Sequence, residues 1–324
     1  MGKRVTAADV ARSLGLSRAT VGFVLNDTPG QTISEATRER VLAEAKRLGY
    51  RPHTAARALA SGRSHIVLAL LPDWPMEYSM RTHLDEAALV LDRAGYSLVT
   101  MTPHPGGQAV PLWESLAPDV VFALAPIPDE QYDAIRATGA ATIIPGRDEA
   151  VVADELHFAD GPRLQVAHLL ERGRRRIAFA GTTDARLASL VAERRALADA
   201  THRELAGEPL AASADLDETD AAARVAEWVA AGVDGVVAYN DDVAALVLGA
   251  ALRQGIAVPE ELAIVGHDDS PIARLLVPAL SSVRVDTAGL GRFLADLALS
   301  RVSGAEPPGV GPEATSEVVR RETS

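Results

Sequence analysis

Apolar residues recur at helical spacing in three short segments near the start of the chain, and as short unbroken runs after residue 65. Within VTAADVARSLGLSRATVGFVLN (5–26), Thr6 is an N-cap candidate, and Asp9 three residues on completes a capping box. Val10 and Leu14 then face inward, Gly15 allows a tight turn, and Ser17 caps a second helix that buries Val21, Val24 and Leu25. Ser34 and Glu35 open a third helix with Val41, Leu42, Ala45 and Leu48 on its inner side, and Gly49 closes it. The segment YRPHTAARALASGRS (50–64) is Ala-rich, with Pro52 near its start, Gly62 near its end and no strong apolar face.

Downstream, IVLALL (66–71), SLVTM (97–101), VVFAL (120–124), ATIIP (141–145), RIAFAG (176–181), GVVAY (235–239) and LAIVG (262–266) predict buried strands. Helices are expected between them at 80–94, 129–138, 161–172, 187–205, 219–231 and 241–254. Such alternation predicts parallel sheets covered by helices on both faces. Its length favours two doubly wound α/β lobes with a cleft between them. Ligands in such sheets bind beyond the carboxyl ends of the strands. That rule singles out Asp73 and Trp74, Asn240 and Asp241, and His267 and Asp268. GAEPPGVGPEATS (304–316) reads as a connector before the final strand-like EVVRR.

At 324 residues and 48% hydrophobic, the chain is long enough to bury two or three domains. It has no cysteine, which excludes disulfides and thiolate-bound zinc. The start MGKRVTAADV lacks the apolar run of a secretory signal, and no stretch approaches a membrane span. A cytoplasmic protein is expected. The overall charge of −12 hides an asymmetry. Residues 1–63 carry 11 Lys and Arg against 5 Asp and Glu, and the remainder carries 21 against 39. A basic head on an acidic body suits a localised phosphate-binding surface.

Two short helices joined by a turn present the start of the second helix to base edges when they dock in a major groove. The exposed positions there are Arg18, Ala19 and Gly22, with Phe23 beside them. An enzyme is the contrasting reading. Asp241-Asp242 and Asp268-Asp269 are the carboxylate pairs at strand ends, and paired carboxylates can do acid–base work. The chain has no GxSxG, no P-loop string and no GxGxxG after its first strand, and its eight histidines lack metal-ligand spacing. No cofactor and no metal are expected. A transport-type binding protein would share the lobes but has no use for a basic head. The basic run Arg174 to Arg176 reads as a solvated edge between a helix end and a strand start.

Several strings occur in a fixed order: the segment 5–26, ISEATRERVLAEAKRLGYRPHTAARALASGRS, HLLERGRRRIAFAG, AYNDDVAALVLGAALRQGIAVPEELAIVGHDDS, PALSSV and EVVRRETS. In these the chain resembles the LacI/GalR family of bacterial transcription regulators over essentially its whole length. The resemblance implies an all-α helix-turn-helix headpiece (1–50), a hinge (51–64) and a periplasmic-binding-protein-like body (65–324). Lobe 1 is expected at about 65–157 plus 286–304, and lobe 2 at about 158–285 plus the C-terminal strand. The family binds double-stranded operator DNA as a homodimer, usually represses, and takes a small-molecule effector between its lobes. With no further heptad helix after EVVRRETS, a dimer is expected over a tetramer. The hinge, including Arg57, is implied to fold on DNA, with Leu59 either wedged into the minor groove or packed on its own headpiece. Thr6, Ser17, Thr20, Asn26, Ser34 and Thr37 match phosphate-contacting positions, a role that fixes register without reading sequence.

The departures are specific. The family's second helix usually carries Ser-Arg where this chain has Gly22-Phe23. A guanine-pairing donor is thereby lost, and Arg18 is the candidate replacement one turn earlier. Phe23 either touches a thymine methyl or belongs to the core. An operator unlike the family's common one is expected. In the cleft, His157-Phe158 stand where sugar- and purine-binding members have Asp-Asn. Without gaps, Val191 replaces the usual arginine and Leu216 the usual aromatic. Asp268 remains as an acceptor, for ligand or as a helix cap, with Trp74, Asp73, Tyr78, His157, Phe158 and Asn240 around it. Fewer polar anchors favour an effector other than a simple sugar, or none.

Overall fold

The computed structural model describes residues 5–26, 28, 30–50, 63–104, 108–124, 126–138, 142–147, 160–309 and 316–324. The headpiece is three helices, α1 (Ala7–Leu14), α2 (Arg18–Leu25) and α3 (Glu35–Arg47). Thr6 and Asp9 form the expected capping box, and Gly15 turns the chain at φ 64°. Ser17 and Ser34 each accept a hydrogen bond from the backbone N–H three residues on. Val10, Ala11, Val21, Val24, Val41 and Ala45 make the core, with Leu14 and Leu25 half-buried around it. Leu42 departs from expectation and is 49% exposed. It lies one residue past Val41, about 100° round the helix from the 41/45 stripe.

Among the described residues the body has two sheets. The first holds β1 (Ile66–Leu70), β2 (Ser97–Met101), β3 (Val120–Ala123) and β4 (Thr142–Ile144) in the order β2-β1-β3-β4, all parallel. The second holds β5 (Ile177–Thr182), β6 (Ala212–Leu216), β7 (Gly235–Ala238), β8 (Ala263–His267), β9 (Ser281–Val285) and β10 (Ser316–Val319). Its order is β10-β9-β8-β7-β5-β6, parallel except at the β10 edge. Central strands such as β3 and β7 are buried along their whole length, as parallel strands covered on both faces must be.

Among the described residues the body's helices are α4 (Tyr78–Arg93), α5 (Leu112–Leu116), α6 (Asp129–Ala137), α7 (Asp160–Glu171), α8 (Ala188–Ala206), α9 (Ala221–Ala230), α10 (Asp241–Arg253) and α11 (Thr287–Ser303). α11 returns to the first sheet and packs along α4. Gly291 permits the close approach, because a Cβ there would stand 2.2 Å from the His83 carbonyl oxygen. The chain therefore passes between lobes after β4, after β9 and again before β10.

β6, β9, α5 and α11 were not singled out from the sequence. β6 (ASADL) alternates between exposed and buried positions at the sheet edge, and its small residues carry little strand signal. In β9, buried Ser281 and Ser282 stand where an apolar run is the usual signature. Their hydroxyls accept from the N–H groups of Arg321 and Asp269 at 2.8 and 3.0 Å. No described helix is long and apolar enough to cross a membrane.

Candidate nucleic-acid interface and interlobe cleft

The start of α2 is the candidate duplex-reading surface. Arg18 and Ala19 are exposed, and Gly22 and Phe23 are half-buried. Phe23 is half-buried and is not among the apolar side chains that form the buried headpiece cluster. A Cβ at Gly22 would meet nothing within 4 Å, so this patch of the helix is open. Ser17 and Ser34 build the same device twice. Each hydroxyl accepts a backbone N–H three residues on, from Thr20 and Thr37 at 3.0 and 3.3 Å, and lies 2.9 Å from that threonine's hydroxyl. Both pairs cap a helix and set hydroxyls at its positive end, where a phosphate is favoured. Thr6 and Asn26 are exposed; the Thr6 hydroxyl is engaged with Asp9 at 2.7 Å. Arg57 and Leu59 lie outside the described residues, as does the hinge apart from its last two positions.

The second candidate site lies where the two sheets' carboxyl ends meet. Glu77 precedes α4 in the first lobe but makes no cap bond with its own helix. Its carboxylate crosses to the second lobe instead. Asn240 Nδ2 donates to Glu77 Oε1 at 2.8 Å, and the Tyr239 hydroxyl donates to Oε2 at 3.5 Å. Trp74, in the loop after β1, also packs against the second lobe's core. Burial and the nearby Asp268 charge push Glu77 up to about 7, partly offset by Arg194.

Asp268 directly follows β8 at φ 94°, with its side chain 6% exposed. His267 Nδ1 lies 2.8 Å from Asp268 Oδ1, and the Arg194 guanidinium lies 4.0 Å from the same atom. Burial alone would raise Asp268, but the His267 contact and Arg194 hold it below the usual carboxylate range. Burial pushes His267 down, so it is neutral at pH 7. A carboxylate accepts only, so Nδ1 carries the hydrogen and Nε2 is bare. That bare Nε2 faces Gly161, where a Cβ would stand 2.0 Å away.

Arg194 donates to the Tyr239 carbonyl and stands 4.6 Å over the Tyr239 ring. Ungapped comparison had pointed to Val191, which is 2% exposed and packed inside. The guanidinium that reaches the cleft comes from one turn later on α8. Neither Glu77, Arg194 nor Tyr239 was picked from the sequence. Glu77 stands just before a helix and not at a strand end, so the strand-end rule passed it over.

Asp241 and Asp269 are structural. Asp241 accepts from Ser270 N–H at 2.6 Å and from the Ser282 hydroxyl at 2.5 Å, tying the start of α10 to the β8–β9 connection and to β9 itself. Burial pushes it up to about 7, against those hydrogen bonds. Asp269 is held by Arg284 and Arg321. Asp73 and Tyr78 are exposed at the rim. His157 and Phe158 lie outside the described residues. Among the described residues no group of acidic and histidine side chains is arranged to hold a metal. The run from Arg174 to Arg176 is more than a solvated edge: Arg174 donates to the Pro259 and Glu260 carbonyls at 2.6 and 2.9 Å, and Asp234 accepts from the Arg175 and Arg176 amides.

The sequence model described as bacterial regulatory proteins, lacI family, matches residues 6–53. The model of a periplasmic binding protein-like domain matches residues 166–324. The HTH-type transcriptional regulator CelR of Thermobifida fusca is 30% identical, over 93% of this chain and 93% of that protein. The HTH-type transcriptional regulator GntR of Pseudomonas aeruginosa is 30% identical, over 99% of this chain and 96% of that protein. Among solved structures, the lac repressor dimer bound to operator and the anti-inducer ONPF aligns with a TM-score of 0.74 at 21% identity, covering 99% of each chain.

Proposed function

Because the chain belongs to the LacI family of bacterial regulatory proteins, we propose that it binds a pseudo-palindromic operator as a homodimer and represses transcription. A small molecule held between the lobes would set the strength of that grip. The chain is a DNA-binding transcriptional regulator with a helix-turn-helix headpiece and a two-lobed α/β body. Residues 1–50 are taken as the headpiece, 51–64 as the hinge and 65–324 as the body, working in the cytoplasm. This reading asks for no turnover.

The observation that carries it is the open start of α2, framed by the twin Ser17/Thr20 and Ser34/Thr37 caps on the basic part of the chain. Arg18, Ala19, Gly22 and Phe23 read base edges in this proposal. Thr6, Ser17, Thr20, Asn26, Ser34 and Thr37 fix register on phosphates, and Arg57 and Leu59 act from the hinge. Self-association is supported by an exposed apolar stretch in the segment after β8. Leu275 is 74% and Val277 85% exposed, with Ile272 beside them. In the cleft, Asp268, Asn240 and Trp74 take the effector, joined by Glu77 and Arg194, with Asp73 and Tyr78 at the rim and His157 and Phe158 completing the set. Effector coupling of about 1–3 kcal/mol is reciprocal between the two sites.

Fluorescence anisotropy on a labelled duplex carrying the selected site tests the headpiece. Affinity should fall by roughly three orders of magnitude or more between about 50 and 200 mM salt. An affinity indifferent to salt contradicts the reading.

A further inference from the structure

Among the described residues, the cleft holds more negative charge than the Arg194 guanidinium balances. Three carboxylates bear on the same space: Glu77 from the first lobe, Asp268 just after β8 and Asp242 at the start of α10. Arg194 on α8 is the cation that acts on Glu77, and it is shared with the Tyr239 carbonyl, the Tyr239 ring and Asp268. At the rim, Arg186 is taken by Asp184 at 2.6 Å. Glu77 also gives up the cap of its own helix to point across the cleft. A separate observation concerns Asp268. Its side chain is more than nine-tenths buried, and among the described residues only its Oδ1 receives a hydrogen bond. That leaves Oδ2 with capacity to accept from a ligand donor.

We propose that Glu77 is a specificity-determining residue of the cleft, selecting, together with Asp268, an effector that presents a cationic amine beside hydroxyl groups. The inference rests on the effector-cleft reading above. A neutral polyol leaves two or three like charges facing one another. An anionic ligand adds a further one. An ammonium group gives each carboxylate a charge-assisted donor, the strongest kind of hydrogen bond available here. Asn240 and the Tyr239 hydroxyl, released from Glu77, are then free to meet ligand hydroxyls. The raised pKa of Glu77, about 7, fits a carboxylate waiting for a cation.

The test is isothermal titration of the full chain with glucose, 2-amino-2-deoxyglucose and glucose 6-phosphate, and with the same three forms of galactose. Wild type, Glu77→Gln and Glu77→Asp are compared at pH 6 and pH 7. For at least one sugar the amino form should bind about tenfold or more tighter than the neutral form, a preference worth one charge-assisted contact. The preference should grow from pH 6 to pH 7 as Glu77 ionises while the ligand amine stays charged, collapse in Glu77→Gln, and persist in Glu77→Asp. Tighter binding of neutral or phosphorylated forms, an unchanged preference in Glu77→Gln, or silence across all six sugars overturns the proposal. Operator selection is measured separately. A chain that selects an operator but ignores amines loses only this inference, and one that binds amines but selects no DNA loses only the regulator reading.

Discussion

Asn240 holds Glu77 across the cleft: its Nδ2 donates to Glu77 Oε1 at 2.8 Å, while its own Oδ1 accepts from Val243 N–H at 2.9 Å. One side chain thus caps α10 and joins the two lobes. The link makes the lobe arrangement sensitive to anything that competes for the Glu77 carboxylate.

Protons compete for it. Glu77 moves from 4.5 up to about 7 on folding, so the folded state holds a proton that the unfolded state has released. A carboxyl raised in this way contributes stability that is complete below about pH 4.5 and is lost as pH rises toward 7. Asp241, raised from 3.8 to about 7, acts in the same direction. Thermal melts of wild type and Glu77→Gln across pH 5 to 8 should therefore diverge as pH rises, with Glu77→Gln gaining relative stability. Parallel curves contradict the assignment.

Gly161 packs against the buried His267 ring, and a Cβ there would stand 2.0 Å from Nε2. His267 is 1% exposed and tied to Asp268, so it cannot swing away cheaply. Gly161→Ala should cost about 1–3 kcal/mol in urea unfolding and should weaken effector binding through Asp268. An unchanged midpoint would show that the ring moves freely.

In α2, Gly22→Ala separates stability from recognition. The open space around Gly22 and ordinary helix propensity predict about 1 kcal/mol of added headpiece stability. The added methyl sits on the surface assigned to base edges, so operator affinity should fall even as the melting point rises. Arg18→Ala should cost about 1–3 kcal/mol of discrimination at one base pair and little on bulk DNA. Equal losses on every sequence would assign Arg18 to phosphate.

These contrasts mark what the sequence made legible. Capping residues and apolar spacing act locally, so Thr6, Asp9, Ser17 and Ser34 placed α1 to α3 without tertiary knowledge. Continuous apolar runs similarly exposed most central strands. β9 was hidden because its serines are buried to hold loops by hydrogen bonds, a role visible only once Arg321 and Asp269 are in place. The cleft was half legible. Asp268 and Asn240 follow from the strand-end rule, whereas Glu77 and Arg194 reach the site from helices whose facing depends on how the lobes meet.

The apolar stretch of Leu275 and Val277 gives a test of assembly. Leu275→Glu with Val277→Glu places two charges on a surface proposed to face a second copy. Sedimentation should then shift toward monomer, with operator affinity falling because each half-site loses its tethered partner. A variant that remains a dimer with intact affinity moves the contact elsewhere.

Selection of duplexes from a random DNA pool by the purified full-length chain bears most directly on the central claim. Enrichment of an inverted repeat, with half-sites about one helical turn apart, is the expected result. Recovery of sequences no different from the starting pool, with and without small molecules present, would contradict the account.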